Sequence, residues 1–199
     1  MIIDGHNIRH AVEVGAGDAE SSQLLPNVPV IDRVTLIEPN TILARSLIAA
    51  TQSHRHVLVY PAAAGVQEGW APLVHMGYGS FIKGAPAFLP LGCEADCETY
   101  WAPLTSVVPV MTLAEVEKER GPIDWLVLTC NGSECAALAT LTSCPKLIHT
   151  KAYLHNPRHF AAYNDLMGWL VYCGYRASEL LETNQHQTYA HTRWVRSRP

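Results

Sequence analysis

Two glycines that follow a short apolar run are the first residues in this sequence whose spacing suggests chemistry. The stretch AVEVGAGDAE (11–20) places Gly15 and Gly17 directly after the run, and Glu13 two positions before the first glycine. Glycines in a turn leave backbone N–H groups uncovered and let a ligand approach the main chain closely. The turn therefore predicts a ligand site that combines a bare backbone with a carboxylate.

A second carboxylate follows the next apolar run along the chain. RVTLIE (33–38) ends in Glu38, and Pro39 and Asn40 then turn the chain away. An acid at this distance after a glycine turn can accept hydrogen bonds from the two hydroxyls of a ribose. The alternative is that Glu13 is an ordinary charge at a strand edge and that Glu38 caps the following helix.

Two classes of nucleotide ligand fit a glycine turn of this kind. A dinucleotide requires G-x-G-x-x-G/A, but the third position of that pattern is Glu20, whose carboxylate repels a pyrophosphate, as does that of Glu13. S-adenosylmethionine carries a sulfonium and an ammonium and no phosphate, so neighbouring acids attract it. The pattern acid-x-Gly-x-Gly-x-small is formed by Glu13, Gly15, Gly17 and Ala19, which favours S-adenosylmethionine over a nicotinamide dinucleotide.

Strand-like and helix-like runs alternate along the chain, which predicts an α/β fold with a mainly parallel sheet. The first strand is expected at about His10–Val14, followed by a short helix near Ala19–Leu25 that Pro26 ends. Asn40 or Thr41 can cap the helix expected at 42–51, and Thr112 and Glu115 form a capping box that begins a later helix. Further strands are expected at 33–38, 56–60, 107–111, 124–130 and 146–150 and twice after 174, and further helices at 42–51, 133–141 and 158–173.

Residues 61–106 interrupt this alternation within what is expected to be a single domain of 199 residues. The segment is rich in Gly and Pro, which predicts an insertion of hairpins or ordered loops. Cys93 and Cys97 lie here in GCEADCETY, where a pair of zinc ligands and an ordinary surface loop are the alternatives. No second pair with regular spacing follows, so no metal site is expected.

The composition excludes several functional classes. Apolar residues make up 48% of the chain and charged residues 16%, as in globular rather than disordered proteins. The net charge of −4 offers no basic surface for nucleic acid, and no apolar run approaches the ~20 residues that span a membrane. The start, MIIDGHNIRH, lacks the pattern of a signal peptide, so a cytoplasmic location is expected.

The order of these pieces resembles the FkbM-type methyltransferases, a family within the class I S-adenosylmethionine-dependent methyltransferases. The pieces that carry the resemblance are VEVGAGDAE, VTLIEPN, VLVYPAAAG, GYGSF, VPVMTLAEVEKERGPIDWLVL and LVYCGYR. IEPN and the linkage from VPVMTL to IDWL are the most specific of them. The resemblance implies a Rossmann-like sheet of about seven strands, mostly parallel with the last antiparallel, with helices on both faces and the cofactor at the C-terminal strand ends.

The resemblance also implies positions for the cofactor. The glycine turn would line the methionine moiety, the acid after the second strand would hold the ribose, and residues after the third strand would lie near the adenine. The serine of GYGSF matches a serine that the family keeps near the cofactor. The residues assigned to the cofactor are Glu13, Gly15, Ala16, Gly17, Glu38, Pro39, Asn40, Ala62, Ala63, Ser80, Thr129 and Asn131.

The chain departs from the family pattern after its fourth strand. Where the family has D-V-E-G, this sequence has Thr129, Cys130, Asn131 and Gly132. Thr and Asn keep hydrogen-bonding capacity, but they neither act as a general base nor bind a hard cation strongly. Metal-assisted catalysis is therefore not expected.

Methyl transfer to an oxygen still benefits from a base whose pKa lies near 7. His149, at the predicted end of the fifth strand, is the first candidate for a catalytic base, and His155 in the following loop is the second. Lys151 could orient an acidic group. The alternative for each histidine is a surface position or a hydrogen-bonded structural role.

The sequence thus leads to two functional hypotheses. The first is an S-adenosylmethionine-dependent methyltransferase that acts on an oxygen of a small-molecule or sugar-like acceptor. The second is a methyltransferase-fold binding module that holds the cofactor or a partner without turnover. The loss of both acids after the fourth strand favours the second hypothesis, whereas the retained glycine turn and Glu38 favour an intact pocket.

Overall fold

The computed structural model describes residues 1–3, 5–75, 80–82, 105–153, 157–183 and 189–197. The strands in these ranges are β1 Ile2–Ile3, β2 His6–Asn7, β3 His10–Val14, β4 Arg33–Ile37, β5 Val57–Tyr60, β6 Ala63–Ala64, β7 Gly69–Val74, β8 Phe81–Ile82, β9 Thr105–Met111, β10 Trp125–Leu128, β11 Leu147–Tyr153, β12 Tyr175–Thr183 and β13 Tyr189–Arg196. The α-helices are α1 Thr41–Thr51, α2 Leu113–Arg120, α3 Glu134–Leu138 and α4 Pro157–Tyr172, and a 3-10 helix covers Leu25–Val30.

Seven strands form the main sheet in the order β12-β13-β11-β10-β3-β4-β5. The strands from β11 to β5 are parallel, whereas β13 is antiparallel to both of its neighbours. This arrangement confirms the expected mostly parallel sheet whose last strand is antiparallel. The strand order reverses between β3 and β10, so a crevice is expected at the carboxyl ends of these two strands.

Both faces of the main sheet are covered, because successive side chains of a strand point to opposite faces and both sets are apolar. One face packs against α2 and α4 through a set that includes Val14, Ile37, Leu128, Val116 and Leu166. The other packs against α1 and the 3-10 helix through a set that includes Leu36, Val127, Leu47 and Val28. The carboxyl edge of the parallel strands is left as the place where a ligand can enter.

The helix expected at Ala19–Leu25 is absent from the structure, and this prediction was wrong. The chain makes turns at this point, and the 3-10 helix that follows contains Pro26 in its first turn. A proline lacks a backbone N–H and has a fixed φ, and both properties suit the first turn of a helix. Pro26 therefore lies at the beginning of a helical segment, whereas the sequence analysis predicted that a helix ends at this proline.

Two helices begin where the sequence predicted. The Asn40 side chain accepts a 3.1 Å hydrogen bond from the N–H of Ile42, which caps α1. Thr112 and Glu115 form the reciprocal capping box at the start of α2. Both caps act within a few residues, and this explains why the local sequence was sufficient to predict them.

The described part of the segment at 61–106 contributes to a second, four-stranded sheet with the order β6-β9-β7-β8. β9 pairs parallel with β6 and antiparallel with β7, and a small core of Ala63, Leu73 and Val108 holds the sheet together. Because β6 follows β5 after two residues, this second sheet lies next to the carboxyl edge of the main sheet. Cys93 and Cys97 lie outside the described residues.

Candidate functional site

Four residues form a row across the carboxyl edge of the main sheet. Val14 is in register with Ile37 of β4 and with Leu128 of β10, and Leu128 is in register with Thr150 of β11. The residues that come next in the chain share one level, directly after β4, β3 and β10 and within β11. These residues are Glu38, Gly15, Thr129 and Lys151. The row therefore begins with a glutamate, continues with a glycine and a threonine, and ends with a lysine.

All four residues of this row line a cleft that opens to solvent. Of the residues that the sequence assigned to the cofactor, those that line the cleft are Gly15, Gly17, Glu38, Pro39, Ala63, Ser80, Thr129 and Asn131. Lys151 also lines it, as do Ser21, Gln23, Leu43 and Ser133, which the sequence analysis did not assign. Of these four, Leu43 had a signal in the sequence. It lies three residues after Asn40, in the first turn of the predicted helix that follows Glu38.

Both the backbone conformation at position 15 and the neighbouring backbone of Thr129 require a glycine at this position. Its φ of +79° lies in the left-handed region, and a Cβ atom added there would lie 2.5 Å from the carbonyl oxygen of Thr129. The Thr129 hydroxyl donates a 2.8 Å hydrogen bond to the carbonyl of Gly15 and a longer one to that of Val14. The absence of a side chain at Gly15 therefore lets β3 and the end of β10 approach each other, a reason that the sequence analysis did not foresee.

Glu38 connects the glycine turn to the end of β4. One of its carboxylate oxygens accepts a 2.8 Å hydrogen bond from the N–H of Gly17, and the other accepts a 2.8 Å bond from the N–H of Asn40. The side chain is 5% exposed. Burial raises the pKa of Glu38 to about 7, and the two backbone hydrogen bonds partly oppose that rise. The result is a buried carboxyl group in the cleft wall that is about half protonated near pH 7 when no cation faces it.

Glu13 does not belong to the cleft wall, which corrects the expectation that its carboxylate lines the ligand site. Its side chain is 1% exposed and accepts hydrogen bonds from the Ser22 hydroxyl at 2.6 Å and from the N–H groups of Gln23 and Leu24 at 2.9 and 3.1 Å. Burial raises the pKa of Glu13 to about 7. Glu13 thus holds the loop after the glycine turn in place from behind.

Hydrogen bonds of Asn40, Ser80 and Asn131 connect three different parts of the chain. Ser80 and Asn131 line the cleft, whereas Asn40 is buried and does not. The Asn131 side-chain amide donates a 3.0 Å hydrogen bond to the carbonyl of Ser80, and that of Asn40 donates a 3.4 Å bond to the Ser80 hydroxyl. Asn131 has a φ of +52°, a left-handed conformation that asparagine adopts more readily than most residues. The loop after β10 is therefore joined to the residue before β8 in the cleft wall.

Two further residues assigned to the cofactor, Ala16 and Ala62, are buried and do not line the cleft. The N–H of Ala16 donates a 3.2 Å hydrogen bond to the carbonyl of Ile37, and the N–H of Ala62 donates one of 2.9 Å to that of Tyr60. These two alanines therefore shape the turns after β3 and β5.

His149 is not placed to act as a catalytic base, which corrects the first choice of the sequence analysis. β11 extends to Tyr153, so His149 is its third residue and lies in the interior of the strand. His149 is 6% exposed, and its Nε2 accepts a 3.2 Å hydrogen bond from Nε of Arg193. Its ring packs edge-on against that of Trp125, with 5.1 Å between the ring centroids. The second candidate, His155, lies outside the described residues.

No family model matches this sequence, and neither does any curated protein. Solved structures do match. An O-methyltransferase of Streptomyces achromogenes involved in tomaymycin synthesis, solved with S-adenosylmethionine, aligns with a TM-score of 0.53 and 12% identity over 96% of this chain and 74% of its own. A putative methyltransferase of Streptococcus mutans with S-adenosylhomocysteine aligns at 0.55 and 8% over 96% and 89% of the two chains.

A third match is an O-methyltransferase of Bacillus cereus solved with S-adenosylhomocysteine, with a TM-score of 0.51 and 11% identity over 95% of this chain and 74% of that one. The chain has the Rossmann-like fold of methyltransferases. In this methyltransferase fold the cleft lies at the carboxyl ends of β3 and β10, at the switch point where ligands of open α/β sheets bind. None of the helices that the structure describes is long and apolar enough to cross a membrane.

Proposed function

We propose that this chain binds S-adenosylmethionine and transfers its methyl group to an oxygen of a small-molecule acceptor, as the resemblance to FkbM-type methyltransferases implies. The observation that carries the proposal is Glu38, a buried carboxylate in the cleft wall directly after β4. A buried acid that must lose its proton to become charged is stabilised by a cationic ligand and disfavours an anionic one. The same fold occurs in methyltransferases solved with S-adenosylmethionine or with S-adenosylhomocysteine, which supports the same assignment.

The residues present fit such a ligand. Each oxygen of the Glu38 carboxylate accepts one backbone hydrogen bond and has a further lone pair, so Glu38 can also accept hydrogen bonds from the two hydroxyls of a ribose. Ala63, the first residue of β6, offers a small apolar surface to the adenine. Gly15 and Gly17 leave the middle of the row without side chains, where the methionine part would lie. When bound, the cofactor supplies an electrophilic methyl group on a sulfonium.

A dinucleotide is a poorer ligand for this cleft. In dinucleotide-binding folds the pyrophosphate lies at the N-terminus of the helix that follows the glycine turn. Here turns and the 3-10 helix at Leu25–Val30 follow the glycines. Glu38 lines the cleft beside the glycine turn, where its carboxylate would repel a phosphate. Both features favour a cationic nucleoside.

A binding module without turnover is the second candidate function, and one observation favours it. Thr129 and Asn131 replace the family's two acids. The Thr129 side chain donates a hydrogen bond to the backbone carbonyl of Gly15, and the Asn131 side chain donates one to that of Ser80. They stabilise the walls of the cleft in this way, and neither provides a base. In this alternative the cleft holds the cofactor, but no methyl group leaves it.

Isothermal titration calorimetry with S-adenosylmethionine and with NADH tests the proposal. We expect S-adenosylmethionine to bind and NADH not to bind. Glu38→Ala should weaken binding of S-adenosylmethionine by about 1–3 kcal/mol, the scale of a lost hydrogen bond to a charged group. Glu20→Ala, at an exposed acid outside the cleft, is the matched control and should bind like the wild type. Unchanged affinity in Glu38→Ala would remove Glu38 from the site.

Methyl transfer then separates the two candidate functions. The wild type is incubated with S-adenosylmethionine labelled in the methyl group and with a panel of small-molecule acceptors. Label that moves to an acceptor supports the enzyme. Binding of the cofactor without transfer to any acceptor in the panel favours the binding module.

A further inference from the structure

A second cavity lies beside the cofactor cleft, where the four-stranded sheet meets the start of α3. Its volume is about 450 Å³, which is within the range of small-molecule sites. Its walls come from β6, from the loop at 65–68 and the start of β7, and from the loop after β10 and α3. We call this cavity the apolar groove, and its lining includes Val66, Trp70, Ala71, Val110 and Ala136.

The surface of the apolar groove is predominantly apolar, and two of its large side chains are exposed. Trp70 is 73% exposed and Val66 is 63% exposed, although burial would stabilise both side chains. Ala71 and Ala136, which also line the groove, have side chains too small to fill it. A concave apolar surface with an exposed aromatic ring is typical of a site that binds an apolar group.

The pairing of β6, β9 and β7 gives the apolar groove its length. Ala63 is in register with Val110 of β9, and Val110 is in register with Gly69 of β7. Two strand-to-strand steps place the backbone of Gly69 about 10 Å from that of Ala63. Trp70 follows Gly69 and lies at the same end of the groove. The groove is therefore long enough for an aromatic system of two fused rings.

The apolar groove adjoins the cofactor cleft. The residues that line both are Ala63, Ala64, Ile82 and Ser133. Ser133 belongs to the loop that begins at Thr129, which is hydrogen-bonded to Gly15. In the proposed function the methionine part of the cofactor lies over Gly15, so this loop brings the groove next to the part of the cleft from which the methyl group leaves.

A cofactor in the cleft does not account for the apolar groove. Val66, Trp70 and Ala136 line the groove and do not line the cleft. A nucleoside held by Glu38 therefore leaves these three side chains uncovered. The groove is available to a second ligand that is bound at the same time as the cofactor.

We propose that the apolar groove binds a neutral aromatic ring system of the methyl acceptor, which packs against Trp70. This inference rests on the proposed function. Aromatic rings attract one another in offset-stacked and edge-on arrangements, in addition to the gain from burial. Glu68 lines the groove and lies next to Glu115, so negative charge at this place disfavours an anionic ring. The acceptor oxygen extends from the groove into the cleft.

Ligand-observed NMR tests the apolar groove with three probes. The protein is first saturated with S-adenosylhomocysteine, which calorimetry verifies. The probes are 2-naphthol, which joins two aromatic rings to a hydroxyl, 2-naphthoate, which has the same rings and a negative charge, and glycerol, which has hydroxyls without an aromatic ring. We expect 2-naphthol to bind at least ~10-fold more tightly than glycerol, and also more tightly than 2-naphthoate.

Two substitutions change the apolar groove and leave the residues of the cleft in place. Trp70→Ala removes the aromatic ring and should weaken binding of 2-naphthol by ~10-fold, whereas Trp70→Phe should retain most of the affinity. Ala136→Leu places a larger side chain in the groove and should weaken binding at least as much. Trp169→Ala, at a tryptophan of α4 that is 40% exposed, and Ala139→Leu, at an exposed position directly after α3, are the matched controls. Both controls should bind 2-naphthol like the wild type, and all of these variants should bind S-adenosylhomocysteine.

The outcomes separate the apolar groove from the proposed function. Equal affinity of the wild type for 2-naphthol and glycerol, or unchanged affinity in both Trp70→Ala and Ala136→Leu, would overturn the proposal. A protein that does not bind S-adenosylhomocysteine counts instead against the proposed function. The titrations are then made on the protein alone, where the same order of affinities is expected of the groove.

Nuclear Overhauser effects between two bound ligands test whether the apolar groove serves the acceptor. With 2-naphthol and S-adenosylhomocysteine bound together, we expect these effects between the ring protons and the protons next to sulfur, because the groove adjoins the cleft at Ser133. Such effects, lost in Ala136→Leu, support the proposal. Their absence while both ligands are bound would overturn the assignment of the groove to the acceptor and leave cofactor binding intact.

Discussion

The backbone N–H of Gly17 donates a 2.8 Å hydrogen bond to the carboxylate of Glu38, and this bond joins the turn after β3 to the end of β4. Gly17 has a φ of +68°, the left-handed conformation that directs its N–H in this way. One side chain therefore supports the shape of the turn and also lines the cleft. The protonation state of Glu38 is linked to both properties.

We expect the affinity for S-adenosylmethionine to rise with pH between about pH 6 and about pH 8. Burial raises the pKa of Glu38 to about 7, and a cationic ligand favours the ionised form, so a proton must leave when the ligand binds. Below this pKa the affinity should fall by up to ~10-fold per pH unit for one proton. Calorimetry on the wild type and on Glu38→Gln checks this, because titration of the ligand itself affects both proteins equally. Identical pH profiles would exclude Glu38 as the titrating group.

Gly15→Ala should destabilise the protein more than the matched change Gly174→Ala. Both glycines have a positive φ, +79° and +84°, so each substitution carries a backbone cost of about 1–3 kcal/mol. Only at Gly15 would the new Cβ also meet the carbonyl oxygen of Thr129, whereas nothing lies within 4 Å at Gly174. Urea unfolding of the two variants measures the difference. Equal losses of stability would show that the contact with Thr129 relaxes without cost.

Glu13 should make the free energy of unfolding fall as the pH rises from about 4.5 to about 7. Burial raises its pKa to about 7 in the folded protein, so the folded state binds the extra proton in this range and must bury a charge above it. For one such group the loss is on the order of 3 kcal/mol. Glu13→Gln should reduce this slope, and Glu20→Gln, at an exposed acid, should not. Parallel stability curves for wild type and Glu13→Gln would contradict the prediction.

His149→Ala should leave the affinity for S-adenosylmethionine unchanged while it lowers stability. The buried imidazole accepts a hydrogen bond from the half-buried Arg193 and packs against Trp125, so its removal should cost about 1–3 kcal/mol of stability. Thermal unfolding and calorimetry measure the two effects, with Glu38→Ala as the variant of opposite behaviour. A large loss of cofactor affinity with stability intact would return His149 to the site.

Local sequence patterns were sufficient where the physical cause is itself local. β3 has the predicted bounds of His10–Val14, and the caps of α1 and α2 are formed by the predicted residues. The segment at 19–25 differs because its conformation depends on Glu13, whose carboxylate binds the Ser22 hydroxyl and two of the backbone N–H groups that follow. A prediction made from residues 19–25 alone cannot include hydrogen bonds to Glu13, which lies outside the segment in β3.

The sequence by itself determined that glycines, acids and candidate bases lie near the ends of apolar strands, because alternation and turn residues place those ends. Only the tertiary structure decided which of them face the cleft. Glu38 and Lys151 lie at the level of the cleft, whereas Glu13 and His149 lie two residues deeper in their strands, about 6.6 Å below it. The physical reason is that strand register depends on contacts between distant segments, and a shift of two residues moves a side chain from a ligand site into the core.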